Sequence, residues 1–254
     1  MTAGSVRQHG RYPPWLLAVL LLSTAPASAE YYDGPAYAFP VTDMISPAIA
    51  GTAMDSYIER NRRTPRTGNG RGEVPPVPAV ANLTVGTDPA ISQRVKNQFR
   101  DQLVRANPGK QADIDRALAR DWLAGYRDEI ARPNGLDAAN LADAVTAYLV
   151  AAWAIVHKQT QISPRAIASV RDHVRSAMAA SPQTARLDAR ARQDMAEQLI
   201  YQTVLIMANR TQIARTRDTV LADAASRQYR AAVKAGAKVD LQGLRLLERG
   251  FTQD

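Results

Sequence analysis

The sequence predicts an all-α protein with a single helical-bundle domain of about six helices, two of them central and apolar. From residue 88 onward, apolar residues recur once per helical turn between regularly spaced Pro, Gly and Asn breaks. No segment shows sustained alternation of apolar and polar residues, or paired β-branched runs around a turn, so we expect strand content close to nil. The segment 89–254 is long enough to bury one hydrophobic core without disulfides.

The amino-terminal residues 1–29 predict a cleavable signal peptide. Arg7 and Arg11 make its start positive, the apolar run 15–22 follows, and residues 27–29 supply the small side chains that signal peptidase accepts. The apolar run is shorter than the ~20 residues that span a bilayer, and no later segment approaches that length. We therefore expect an exported protein, in the periplasm or outside the cell, without a transmembrane segment after cleavage.

Residues 30–88 predict a flexible arm and linker. Pro, Gly and Arg are so dense over 62–78 that this stretch cannot bury enough apolar surface to offset its chain entropy, and we assign 62–88 as the linker. Apolar spacing over 46–59 predicts one short helix, which is marginal in water without a surface to pack on. Four aromatic residues in the arm are candidate contacts for a partner, or for the bundle itself: Tyr31, Tyr32, Tyr37 and Phe39.

The first two helices of the domain are predicted between residues 88 and 132. The pair 88–89 is Asp-Pro, which is typical of a helix start, and Asn-Pro-Gly at 107–109 ends that helix. The second helix is predicted as continuous up to the Arg-Pro-Asn-Gly stop at 132–135. The apolar side chains at helical spacing are Ile91, Val95, Phe99 and Leu103 in the first helix, and Ile114, Leu118, Trp122, Tyr126 and Ile130 in the second.

The third and fifth helices are predicted to be the central pair. The third helix, which we expect Asp137 to cap, is apolar on all sides up to Val156, a pattern typical of a helix enclosed by others. The fifth helix runs from about Thr184 to beyond Asn209 and is apolar on most sides over 199–208.

The remaining helices are amphipathic and should enclose that pair. The fourth begins at the Ser-Pro of 163–164 and stops at the Ser-Pro of 181–182. The sixth covers roughly 218–235 and exits at Gly236, because glycine adopts the left-handed conformation that ends many helices. The tail 240–247 is predicted as one more short turn or helix whose leucines dock on the bundle.

Charge and cysteine content limit the range of possible functions. The formal net charge of +8 favours anionic surfaces, but bases and acids alternate, as over 116–129, which indicates a mixed solvated surface and disfavours nucleic acid as the partner. The chain has no cysteine, so disulfides, thiol nucleophiles, cysteine metal sites and a lipid-modified cysteine are all excluded.

Histidines offer no metal site. His157 and His173 are the two that remain after cleavage, and they lack the spacing that metal ligands on one helix require. We interpret His157 as a cap at the end of the third helix and His173 as a residue at the edge of an apolar stripe. We predict no metal and no cofactor.

Two acidic residues on the central helices are the catalytic candidates, Asp143 and Glu197. Two partly desolvated carboxyl groups in a cleft could perform acid/base chemistry, as in glycoside hydrolysis. The alternative is a structural ion pair or hydrogen bond, because buried charges in bundles are normally paired; the available partners include Arg210, Arg215 and Tyr201.

Short motifs in three places connect the chain to a known family. They are Asn140–Asp143 with Ala147-Tyr148 and Trp153, then Ala196–Gln202, and finally Asp240–Leu246 with Gly250-Phe251. Together they resemble an uncharacterised family of exported bacterial proteins, a domain of unknown function, over most of residues 90–254. The resemblance implies a bacterial, exported setting and supplies no catalytic residues.

Three functional hypotheses follow. The first is a non-enzymatic binding or structural protein of the cell envelope, which works through a protein partner or an envelope component. The alternative is a helical hydrolase acting on an envelope polymer, with Asp143 or Glu197 as acid or base. A third is electrostatic binding to anionic lipid or nucleic acid, which would weaken steeply with salt.

Overall fold

Eight α-helices make up most of residues 81–253, the part of the chain that the computed structural model describes. The all-α prediction is confirmed. The predicted signal peptide, the helix predicted over 46–59 and the four aromatic residues of the arm lie outside the described residues. The helices are α1 Pro89–Ala106, α2 Gln111–Leu118, α3 Trp122–Gly125, α4 Leu141–Val156, α5 Pro164–Ala179, α6 Pro182–Ala185, α7 Ala189–Thr216 and α8 Thr219–Ala237.

The core lies around α4 and α7, which pack against each other as the central pair. Every residue of α4 is buried, and α7 is buried over most of the stretch from Gln193 to Thr211. The amphipathic helices α5 and α8 cover α4, and α1 covers α7. A helix that is apolar all round lowers its free energy only when neighbours cover every side, which is why this pair is central.

The predicted second helix is broken in two, which corrects the continuous helix expected there. The helix α2 ends at Leu118, and Asp121 starts α3 by accepting a hydrogen bond from the Ala124 amide at 2.9 Å. A π-helical turn, Tyr126–Ala131, and a 3-10 turn, Arg132–Asn134, follow. The five apolar side chains predicted for this helix are all buried nevertheless. The break arises because a short acidic side chain can cap a new helix start within an otherwise helical pattern.

Other helix ends differ from the prediction by a few residues. Asn140, rather than Asp137, caps α4, since its side-chain oxygen accepts from the amides at 142 and 143. The helix α7 begins after the cap Asp188, because the Ser-Pro break at 181–182 first starts the short α6. The helix α8 ends at Ala237, and its C-cap is Lys238, which takes the left-handed conformation with φ 59°, while Gly236 is buried inside the helix.

The tail contains strands, so the expectation of nearly no strand was wrong there. After a 3-10 turn, Leu241–Gly243, the strands β1 Leu244–Leu247 and β2 Gly250–Gln253 form an antiparallel hairpin. Gly250 has φ 98°, which only glycine adopts readily, and it permits the tight reversal. Leu244 and Phe251 are buried, so the hairpin is held by the helical core as well as by its own hydrogen bonds.

Residues 81–88, the end of the predicted linker, already pack on the domain. The Ala81 amide donates to the Ala179 carbonyl, and the Val85 amide donates to the Ala139 carbonyl, both at 2.9 Å. Ala81 is buried, and Thr84 forms a β-bridge with Asn140. None of the helices between residues 81 and 253 is both long and apolar enough to cross a membrane.

Candidate functional site

Asp143 lies in the first turn of α4 and is completely buried. Arg175 of α5 donates to both of its oxygens, Nε to Oδ1 and Nη2 to Oδ2, each at 2.6 Å. The Asp137 amide donates a third bond to Oδ2 at 2.7 Å. The hydrogen bond to Asp143 is the main reason why the pKa of Arg175 lies above its usual range. These contacts match the structural ion pair considered from the sequence, although its cation is Arg175, which sequence spacing did not suggest.

Glu197 lies on α7 and is 5% exposed, but its surroundings differ. Its Oε1 accepts hydrogen bonds from Ser92 Oγ at 2.7 Å and from Gln193 Nε2 at 2.8 Å. Its Oε2 is buried without any hydrogen-bond partner, and Glu197 forms no ion pair with a described residue. A buried carboxylate oxygen without a donor is costly, so this acid is poised to accept a hydrogen bond.

Gln193 positions Glu197 and fixes the start of α1 at the same time. Its Nε2 donates to the Asp88 carbonyl, and its Oε1 accepts from the Asp88 amide, both at 2.8 Å. A Cβ on Gly86 would lie 3.0 Å from Gln193 Oε1, so the chain before α1 approaches α7 this closely because residue 86 has no side chain. The side chain of Glu197 is therefore held by a network that joins α1 and α7.

Two adjoining cavities that share lining residues, which together we call the 197 cleft, lie beside this network. Their volumes are about 620 Å³ and about 570 Å³. The first, the Arg127 half, reaches towards the loop at 137–139, and the second, the Lys96 half, reaches along α1. Both halves share five lining residues: Gly86, Thr87, Asp121, Leu123 and Glu197.

Charges of both signs line the Lys96 half without pairing. Lys96, Arg120, Asp121 and Glu197 all line it, and none of them forms an ion pair among the described residues. Arg127, in the other half, is paired with Asp128 at 3.0 Å. The unpaired charges in the Lys96 half remain available to a ligand.

An aromatic cluster adjoins the Lys96 half. The ring of Tyr201 stacks on Phe99 at a centroid distance of 5.0 Å and lies 5.8 Å from Trp122. Burial raises the pKa of Tyr201, and the negative charges of Glu197 and Asp121 raise it further. Both acids of the Lys96 half therefore act on the Tyr201 hydroxyl.

The sequence pattern points to Glu197 as a site residue, but not to the cleft residues Asp121, Lys96 and Arg120. Asp121 carried a detectable signal, since an acidic residue directly before an apolar segment is typical of a helix cap. The two basic residues carried none, because exposed cations recur along the whole chain. Their juxtaposition with Glu197 arises only when α1, α2 and α7 pack together.

The histidines have structural contacts. His157 follows α4, stacks on Trp153 at 4.6 Å, and its Nε2 lies 2.9 Å from the Leu241 carbonyl. His173 Nδ1 lies 2.6 Å from the Ser169 carbonyl. Within residues 81–253, no group of three His, Cys, Asp or Glu side chains could hold a metal ion.

Two smaller and mostly apolar cavities, of about 80 and about 170 Å³, flank Met207 and Arg210. Arg210 donates to the Gln159 carbonyl at 2.7 Å, so its guanidinium closes the loop after α4. The 197 cleft is larger and is lined by Glu197, whose Oε2 lacks a hydrogen-bond partner, which makes it the stronger candidate site.

Comparison with known proteins gives a family. The model of a family of unknown function, DUF6683, matches residues 15–253. No curated protein and no solved structure matched the chain.

Proposed function

We propose that this chain, which belongs to the family of unknown function DUF6683, is an exported, non-enzymatic binding protein of the bacterial cell envelope. The 197 cleft is its ligand site. Export is inferred from the leader-like segment 1–29, in which a basic start, an apolar run and small residues occur in order.

One observation carries this proposal: the cleft contains a buried acid whose second oxygen lacks a donor. Folded proteins satisfy nearly all buried polar atoms, so an exception needs an explanation, and a ligand or a water molecule is one. The network of Ser92 and Gln193 holds Glu197 before any ligand arrives. Such preorganisation lowers the entropic cost of binding.

Binding is favoured over hydrolysis by the state of Asp143. Glycoside hydrolysis uses two carboxyl groups that flank the scissile bond. Asp143 is occupied by three hydrogen bonds and does not line the 197 cleft. Of the two acids predicted as catalytic, only Glu197 lines the cleft, so the alternative hydrolase, with Glu197 as acid or base, must take its second carboxyl group from another residue, such as Asp121.

The test uses the mature chain, residues 30–254, mixed with insoluble wall polymer and with soluble envelope extract. We expect retention of a component by the protein without release of cleavage products. Asp121→Asn combined with Glu197→Gln should lower retention about tenfold by removing the two negative charges in the cleft. The matched control is Glu248→Gln, an exposed acid in the hairpin turn. Turnover that Glu197→Gln abolishes would establish the hydrolase instead.

The arm is a second contact in this proposal. Residues 81–88 lead from the arm into the wall of the cleft, where Gly86 and Thr87 line both halves. Removing residues 30–80 should leave the thermal transition of the bundle in place and weaken retention of the envelope component. If retention is unchanged, the arm is not a second contact and the cleft alone recognises the component.

A further inference from the structure

We propose that the Lys96 half of the 197 cleft binds a small zwitterion, a free α-amino acid. Its ammonium group lies between Glu197 and Asp121, and its carboxylate lies at Lys96 and Arg120. This inference rests on the proposed function, since it names the ligand class of the same site.

The ammonium position follows from Glu197. Its Oε1 is satisfied by the neutral donors Ser92 and Gln193, while its Oε2 is buried without a partner. A charged donor makes the strongest hydrogen bond to a carboxylate and also compensates its desolvated charge. Asp121 adds a second negative charge; burial is the main cause of the raised pKa of Tyr201, and the charges of both acids raise it further.

The carboxylate position follows from the two bases. Lys96 and Arg120 line the same cavity as the two acids and form no ion pair with them or with any other described residue. Basic residues close by are paired: Arg94 with Asp194 at 2.7 Å and Arg100 with Asp115 at 2.6 Å. A purely cationic ligand would leave the bases without partners, and a purely anionic one would leave Glu197 without a donor.

The size and the apolar lining suit an amino acid. A volume of about 570 Å³ lies within the ~300–1,000 Å³ typical of pockets for small molecules. Trp122, Leu123 and Tyr201 line the cavity beside the charged groups, so they supply an apolar surface for a side chain. A bare metal ion is disfavoured, because the described residues provide no cluster of three ligating side chains here.

The experiment titrates the mature chain with the twenty common amino acids and D-alanine by calorimetry and thermal shift. We expect at least one to bind at a single site with millimolar or better affinity. The N-acetyl derivative of that ligand lacks the ammonium, and its primary amide lacks the carboxylate, so each should bind at least tenfold more weakly. If no amino acid binds, or if both derivatives bind as tightly as the parent, the zwitterion proposal is wrong.

Variants of the protein separate the two charged contacts. Glu197→Gln should weaken the amino acid at least tenfold and leave the N-acetyl derivative unchanged; Arg120→Ala should weaken the amino acid and leave the amide unchanged. Arg165→Ala, an exposed arginine beside the hairpin, is the control. Thermal unfolding followed by circular dichroism establishes that each variant folds. If a variant does not fold, the two ligand derivatives still test the proposal on the wild-type protein.

Failure of this inference differs from failure of the proposed function. If an envelope component is retained in a Glu197-dependent manner but no amino acid competes with it, the cleft binds a ligand of another class. If neither binds, both proposals fail.

Discussion

The two buried acids of the central helices, Asp143 and Glu197, both adjoin apolar stretches in the sequence but have different structural surroundings. Asp143 receives three hydrogen bonds, two of them from a guanidinium. Glu197 receives two from neutral groups, both on the same oxygen. The difference comes from the neighbouring helices: α5 offers an arginine, whereas α1 offers a serine. Whether a buried acid has a structural role or can bind a ligand therefore depends on the side chains that pack against it.

The largest expected effect tests the structural side of this comparison. Asp143→Ala leaves Arg175 without its partner and the Asp137 amide without its acceptor, so it should lower the free energy of unfolding by about 3 kcal/mol. Denaturant unfolding of the folded domain measures this loss. Asp172→Ala removes an exposed acid from α5 and should change stability by less than about 0.5 kcal/mol. A loss below about 1 kcal/mol in Asp143→Ala would contradict the structural role.

Glu197→Gln should have the opposite effect and raise the free energy of unfolding by up to about 1 kcal/mol. The amide keeps one oxygen as the acceptor for Ser92 and Gln193, and it removes a desolvated charge that forms no ion pair with a described residue. We expect equal or higher stability in the same unfolding experiment. A loss comparable to that of Asp143→Ala would show that Glu197 is structural, and that the two acids do not differ.

The smallest effect comes from an exposed ion pair with the geometry of Asp143–Arg175. Arg230 donates to both oxygens of Asp240 at 2.7 Å, but the side chains are 44% and 33% exposed. The hydrogen bond from Arg230 lowers the pKa of Asp240 to about 2. Since the folded pKa lies below the unfolded value of ~3.9, the pair stabilises the protein above pH ~4 and the contribution is lost as pH falls towards 2.

Asp240→Asn should therefore cost less than about 1 kcal/mol at neutral pH, because solvent screens exposed pairs. The cost should shrink as pH falls from about 4 to about 2, where Asp240 in the wild type becomes protonated. Unfolding at several pH values compares the variant with the wild type. A loss equal to that of Asp143→Ala would mean that burial does not set the strength of these pairs.

Much of the fold could be predicted because apolar periodicity and cap residues act locally. Local sequence was enough to predict three features: the apolar side of α1, the burial of α4 and α7 by other helices, and the start of α5 at a Ser-Pro pair. The break before α3 and the hairpin after α8 were missed. In both places a single residue decides the conformation, Asp121 as a cap and Gly250 with a positive φ.

The site could be predicted only in part for a different reason. Burial of Glu197 followed from the apolar pattern of α7, but its lack of a cation depends on which side chains α1 presents to it. Lys96 lies on that helix and lines the same cavity without reaching the carboxylate. Such distances depend on tertiary packing, which the periodicity of one helix does not encode.

The reciprocal bonds between Gln193 and the peptide groups of Asp88 have a mechanical consequence. The same amide also donates to Glu197, so the first turn of α1 and the acid share one anchor. A ligand that moves Glu197 must also loosen or tighten the start of α1. Ligand binding in the cleft should therefore change the hydrogen-exchange rates of the backbone amides that follow Asp88.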